Sequence, residues 1–320
     1  MTEEILPRLY KLEIPLPDSP LKALNSYVIK GKERSLIIDT GWDREECMVA
    51  MQAGLAHLGI DLRNTDFFVT HGHGDHLGLV PSLATDTSRI YFNRPDSEWL
   101  QNAARWRRFL DFARLNGFPE DELQKGPQGP PEYNLPFTIV GEGDSITAGE
   151  YQFMCIETPG HTAGHLCLYE PEKRVLVSGD HILDEITPNI TLWAYDRNPL
   201  SEYLASLDKV SKYEVELVLP GHRSLLGNPG KRIQELKSHH EMRAREIVAI
   251  LMEGAQNAFQ VAAKMSWDIT YDSWDLFPLR QKWFATGEAI AHLKYLEEQR
   301  LIQREMDEDG KSFVFKYTSS

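Results

Sequence analysis

Four residues with imidazole or carboxylate donors fall within six positions in Thr70-His71-Gly72-His73-Gly74-Asp75-His76-Leu77-Gly78. They follow at once on Phe67-Phe68-Val69, a run that reads as a short buried strand. Gly72 and Gly74 let the backbone turn tightly, so His71 and His73 can face one side and Asp75 and His76 the other. Imidazole and carboxylate suit Zn, Fe or Mn, whereas calcium takes mostly oxygen ligands. A cluster this dense is costly to bury unless a cation satisfies it.

Three more candidates stand at the ends of apolar runs. His161 lies in Thr158-Pro159-Gly160-His161-Thr162-Ala163-Gly164-His165, Asp180 in Ser178-Gly179-Asp180-His181, and His222 in Leu219-Pro220-Gly221-His222. In each the order is strand, then glycine, then donor. One such junction is an ordinary turn; repeated along one chain behind the His-rich segment, it predicts a single site built at strand ends.

The pattern HxHxDH, then a His after Pro-Gly, an Asp after Gly and a Pro-Gly-His, closely resembles the metallo-β-lactamase superfamily over about residues 5–230. The resemblance implies a mixed α/β fold, a four-layer αββα sandwich, with two divalent metal ions, zinc first and Fe or Mn as alternatives. It implies that His71, His73 and His161 hold one ion, that Asp75, His76 and His222 hold the other, and that Asp180 bridges. It makes Asp39, in Asp39-Thr40-Gly41, a brace beneath the ions, and it makes Asp75 and Asp180 the catalytic carboxylates. His165 and His181 stand beside the ligands, either as donors to a leaving group or as ordinary hydrogen-bonded histidines.

The implied chemistry is hydrolysis by a hydroxide shared between two ions, which attacks a carbonyl or phosphoryl centre. The preferred expectation is a glyoxalase-II-like hydrolase of a small ester, thioester or lactone. A metal-dependent phosphodiesterase or endoribonuclease is one alternative, and a mononuclear-iron sulfur dioxygenase another. His73 argues against the oxygen-reducing flavodiiron branch, which carries Glu there. Asp180 argues against antibiotic hydrolysis, because zinc β-lactamases often place Cys at that position.

The elements that position these residues follow from periodicity. Strand-like runs fall at 27–30, 35–39, 66–70, 137–140, 151–157, 166–169, 175–178 and 217–219. Glu45–Leu58 reads as a helix, with Met48, Met51, Leu55 and Leu58 three and four apart. Trp99, Ala103, Trp106, Leu110 and Ala113 form one helical stripe, and Gly126-Pro127-Gln128-Gly129-Pro130-Pro131 breaks it. The expected domains are 1–230, catalytic, with a helical cap inserted at about 93–135, and 231–320, helical and winged-helix-like. In the latter, helices at 233–253, 259–265 and 287–298 precede a hairpin turning at Asp309-Gly310. Residues 286–317 resemble the winged-helix domain appended to some lactamase-β-like hydrolases.

Charge narrows the substrate. The chain of 320 residues carries a net −14 with 42% hydrophobic residues, a globular composition that argues against a nucleic-acid coat. Between Arg89 and Arg114, however, six arginines face three acids, interleaved with Trp99, Trp106, Phe109 and Phe112. Arg105, Trp106 and Arg108, with Asn189 from the loop after Asp180, are candidates to hold a small anionic substrate with an apolar body. A helix whose arginines are merely solvated gives the same pattern. From Glu235 onward the balance is eleven basic to fourteen acidic residues, which argues against RNA as partner and fits packing against the catalytic domain or a homodimer. No signal peptide or membrane span is evident. Cys47, Cys155 and Cys167 lack CxxC spacing and fit a reducing cytoplasm.

Overall fold

The computed structural model describes residues 2–102, 105–125, 133, 135–192, 194–268 and 271–318, with only the backbone of Arg105. The chain forms two compact units. One comprises Met1–Gln101, Glu132–Pro188 and Ser206–Ile233; the other comprises Asn102–Pro131, Asn189–Ala205 and Gln234–Ser320. Helices expected as a cap within the first domain are therefore divided between the two units.

In the first unit, strands β1 (Thr2–Leu6), β2 (Leu9–Pro15), β3 (Ala23–Ile29), β4 (Ser35–Ile38), β5 (Thr65–Phe68), β6 (Ile90–Phe92) and β7 (Phe137–Ile139) lie side by side in that order. The first four pair antiparallel, and β4 to β7 run parallel. A second sheet has the order β12-β11-β10-β9-β8, from β8 (Ser145–Ala148), β9 (Tyr151–Glu157), β10 (Leu166–Glu170), β11 (Val175–Gly179) and β12 (Leu217–Pro220). Only β11 and β12 pair parallel in it.

The alternation of side chains along a strand divides the core in two. Tyr27, Ile29, Leu36, Ile38 and Phe68 meet Phe153, Cys155, Leu168, Val177 and Leu219 between the sheets. Val28, Ile37 and Phe67 point the other way, onto Met51, Leu55 and Leu58 of helix α1 (Glu45–Leu58). With both faces covered, residues 27–29 of β3 and 36–38 of β4 are unbroken apolar stretches rather than alternating ones.

Helix α1 has the bounds expected from its spacing and stops at Gly59, whose φ of 62° is the left-handed cap that glycine adopts freely. Short helices α2 (Gly74–Leu77) and α3 (Val80–Leu83) follow β5. The predicted apolar stripe at 99–113 is not one helix. Helix α4 (Arg94–Gln101) carries Trp99, which is 49% exposed, and belongs to the first unit. Trp106, Leu110 and Ala113 ride on α5 (Arg105–Leu115) in the second unit; Ala103 and the Gly/Pro segment 126–131 lie outside the described residues.

The second unit packs α5 and α6 (Glu120–Lys125) onto the C-terminal helices. Ala113, Phe118 and Leu123 bury against Trp283, with Phe109, Phe259 and Leu279 around them. Helix α7 (Pro199–Val210) precedes the 23-residue α8 (Gly230–Met252), and α9 (Ala258–Lys264) begins with an Asn257–Gln260 capping box. Helix α10 (Leu279–Glu298) starts eight residues before the expected 287, because Trp283 is drawn into this core. The hairpin β13 (Ile302–Met306) and β14 (Phe313–Tyr317) turns through Gly310 at φ 66°, as the Asp-Gly signal predicts. No helix among the described residues is long and apolar enough to cross a membrane.

Candidate metal centre

The donors collect where strands end. β5 runs out into the His71–His76 segment, β9 into the His161 loop, β11 into Asp180 and β12 into His222. The two sheets are joined at this edge. The Leu166 N–H donates to the Thr70 carbonyl at 2.8 Å, and the Asn25 N–H to the Gly221 carbonyl at 2.7 Å.

His71, His73 and His161 form one group. His71 Nε2 and His161 Nε2 each stand 3.0 Å from His73 Nδ1. Ligands about 2.0–2.1 Å from a tetrahedral ion lie roughly 3.3 Å apart, so this spacing suits one small cation. Asp75, His76 and His222 form a second group, with His222 Nε2 3.4 Å from Asp75 Oδ2. Asp180 lies between them. Its Oδ2 is 3.5 Å from His161 Nε2, and its Oδ1 is 3.5 Å from His76 Nε2 and 3.6 Å from His222 Nε2. The seven residues thus form overlapping groups, with His71 and Asp180 linking the three-imidazole cluster to His76 and His222.

The far sides of the rings settle which nitrogens face inward. Thr70 Oγ1 donates to Asp39 Oδ2 at 2.8 Å, so it accepts from His71 Nδ1 at 3.0 Å and leaves His71 Nε2 with a lone pair. His76 Nδ1 donates to Asp39 Oδ2 at 2.7 Å, and His222 Nδ1 to the Ala23 carbonyl at 2.7 Å. His76 Nε2, His222 Nε2 and Asp180 Oδ1 are then buried without a hydrogen-bond partner. Three orphaned acceptors converging on one point are costly unless a cation completes them, so the donor set fits the divalent ions that the fold implies.

Electrostatics point the same way. Burial works against charge on His76, yet Asp39 and Asp180 outweigh it and hold its pKa well above the ordinary value. Burial likewise opposes the charge on Asp180 and Asp75, and the facing imidazoles overcome it and hold both carboxyls below their ordinary range. The carboxylates draw positive charge into a closed space, which favours dications. His71 differs, since burial and then its neighbours His76, His73 and His161 push it well below the usual imidazole value.

Asp39 reaches the site through a backbone bend. Its φ of 57° is left-handed, which Asp tolerates, and turns the carboxylate back onto Thr70 and His76. His165 is buried and holds the backbone. Its Nδ1 lies 2.8 Å from Thr158 Oγ1, and its Nε2 accepts the Asp180 N–H at 3.1 Å. His181 is buried too, and burial pulls its pKa down to about 3, so it stays neutral at pH 7. Thr70 and the Ala23 carbonyl, which fix two imidazole tautomers, were not singled out from sequence. A threonine before HxH is a weak cue, and a carbonyl leaves none.

The four substrate candidates belong to the second unit, whereas the metal donors belong to the first. Trp106 stacks on Phe109 at 4.9 Å, Arg108 is exposed, and Asn189 donates to Glu288 Oε2 at 3.1 Å. The side chain of Arg105 lies outside the described residues.

Residues 21–222 match the metallo-beta-lactamase superfamily, and residues 274–318 match the metallo-beta-lactamase-like C-terminal domain. Among relatives, the chain is 25% identical to the probable metallo-hydrolase YqjP of Bacillus subtilis, over 91% of this chain and 92% of that one. Among solved structures, a metallo-beta-lactamase family protein of Thermus thermophilus superposes with a TM-score of 0.79 at 29% identity, covering 98% of this chain and 100% of that one. A beta-lactamase domain protein of Burkholderia ambifaria gives 0.80 at 25% identity, over 99% and 93%. Strand-end donors, a two-sheet sandwich and a matching C-terminal segment lead to one conclusion: the chain is a metal-dependent hydrolase of the metallo-beta-lactamase superfamily.

Proposed function

We propose that the protein hydrolyses a small ester, thioester or lactone at a two-ion centre. His71, His73 and His161 would hold one ion, Asp75, His76 and His222 the other, with Asp180 shared. The observation that carries the reading is that Asp180 offers one oxygen to each group while His76 Nε2, His222 Nε2 and Asp180 Oδ1 have no other partner. When bound, the ions supply Lewis acidity, acidifying a water and polarising the substrate carbonyl. Zinc suits this donor set, and Fe or Mn would also be accepted.

The protein's part is orientation and proton handling. Asp39, Thr70 and the Ala23 carbonyl fix His71, His76 and His222 as lone-pair donors, so no side chain turns during reaction. Asp75 Oδ2 stands 3.4 Å from His222 Nε2, where both would face an ion, which leaves Oδ1 to take a proton from the attacking water and return it to the leaving group. His165 keeps Asp180 in place through its backbone N–H.

In the same reading, Arg105, Trp106, Arg108 and Asn189 select an anionic substrate with an apolar body. Helices α9 and α10 with the terminal hairpin make a winged-helix-like module that packs rather than grips RNA. Three buried free thiols, Cys47, Cys155 and Cys167, fit a cytoplasmic setting, and a homodimer is compatible with the exposed apolar residues of the C-terminal part. A substrate panel tests the assignment. Acyl thioesters, lactones, phosphodiesters and RNA are offered to the zinc-loaded enzyme, with Asp180→Ala as the blank. Turnover of the carbonyl substrates alone supports it, and preferential cleavage of RNA or phosphodiesters overturns it.

A further inference from the structure

A carboxylate outside both donor groups joins the two loops that carry the three-imidazole cluster. Asp96 is 4% exposed on helix α4. Its Oδ2 accepts the Gly72 N–H at 2.8 Å and the Thr162 hydroxyl at 2.7 Å, and its Oδ1 accepts the Gly164 N–H at 2.7 Å. Gly72 stands between His71 and His73, and Thr162 follows His161. One side chain therefore grips both loops, bonding a residue directly beside each of the three histidines.

The fit is close. A Cβ on Gly164 would lie 2.7 Å from the Asp96 backbone N and 2.8 Å from its Cγ, so only glycine at 164 lets the carboxylate come this near. A Cβ on Gly72 would meet the Asp96 side chain at 3.4 Å. Asp39 reaches this cluster only at His71, through Thr70; its carboxylate bonds go to Thr70 and His76, not to the His161 loop.

We propose that Asp96 is a positioning residue, which sets the separation of the His71–His73 segment from the His161 loop and so assembles the three-imidazole ion site without touching the ion. This rests on the two-ion reading above. A buried carboxylate behind the three imidazoles also adds negative charge where a dication would bind. Its loss should weaken that ion selectively, by the roughly 10–100-fold typical of groups that orient metal ligands.

The test is a Co(II) titration of metal-free protein, read by visible absorption and by a competing chromophoric chelator, alongside the melting temperature of the metal-free form. The unmodified protein is expected to take up two ions in resolvable steps. Asp96→Asn, which keeps the volume, should weaken one step at least tenfold and leave the other unchanged. Thr162→Val removes only one of the three bonds; it should weaken the same step severalfold, and it carries the test if Asp96→Asn does not fold. Equal weakening of both steps, or none in either variant, overturns the positioning role. If the unmodified protein takes up fewer than two ions, the two-ion reading itself fails, which is a separate result.

Discussion

One oxygen of Asp39 holds two of the clustered imidazoles: Oδ2 lies 2.7 Å from Nδ1 of His76 and 2.8 Å from Oγ1 of Thr70, which in turn accepts from His71. His71 and His76 thus owe their inward lone pairs to the same carboxylate. Asp39→Asn cannot satisfy all three donors, because it offers one oxygen where Oδ2 accepts from His76 and Thr70 Oγ1 and Oδ1 accepts the Thr70 N–H, and its amide nitrogen cannot accept. Both ions should bind roughly 10–100-fold more weakly, in contrast to the single step expected at Asp96. Chelator competition measures this, and unchanged affinities would separate Asp39 from the site.

Gly221 has no room for a methyl group. Its Cβ would stand 2.6 Å from Asp180 Oδ1 and 2.8 Å from His76 Cε1. Gly221→Ala must push the shared carboxylate or the ring aside. Turnover should fall on the order of 100-fold, as for a displacement near 1 Å at a reacting centre. Steady-state kinetics together with metal content checks it, and activity within twofold of the unmodified enzyme contradicts it.

Arg107 and Arg108 are exposed on α5, whereas Arg114 on the same helix is engaged by Asp111 and Glu120. If this helix face selects anionic substrates, Arg107→Glu with Arg108→Glu should raise KM for an anionic thioester about tenfold with kcat unchanged. A neutral thioester should be unaffected. An unchanged KM for the anionic substrate removes the arginines from substrate binding.

The second unit should lose stability in mild acid. The Glu288 carbonyl can only accept, so His292 Nδ1 donates to it at 2.9 Å, and His292 Nε2 accepts from His240 Nδ1 at 3.2 Å. Burial pushes His292 down to about 4 and His240 well below its ordinary value. Both fold as neutral rings, whereas the unfolded chain protonates them near pH 6.5. The contribution is complete above about pH 6.5 and is lost as pH falls towards 4. For His292 alone the loss at pH 5 is roughly 2 kcal/mol. Urea unfolding at pH 7.5 and pH 5 measures it, and His292→Gln should flatten the difference. An equal pH dependence in that variant contradicts the assignment.

The clustering of the candidate donors was legible because their segments follow apolar runs, with a glycine directly before His161, Asp180 and His222, a local signal that survives without knowledge of the fold. Helix α1 was legible for the same reason, with its apolar spacing and Gly59 stop both written in the chain. The N-terminal strands β1, at the sheet's edge, and β2, next to it, were missed because Glu3, Glu4, Lys11 and Glu13 interrupt their apolar pattern. The stripe at 99–113 misled because its apolar spacing carries across the point where α4 ends at Gln101. Asp96 was counted only as an acid in the cap. Its meaning lies in backbone N–H groups 24 and 68 residues away, which no local pattern encodes.

The central claim is that two ions share Asp180 and that hydrolysis depends on both. The most direct measurement is metal content per chain, taken on zinc-loaded enzyme and on Asp180→Ala, with thioester turnover on the same samples. Two zinc ions and turnover are expected in the first, and loss of at least one ion with turnover abolished in the second. One iron per chain with oxygen consumption, or turnover surviving in Asp180→Ala, would contradict it.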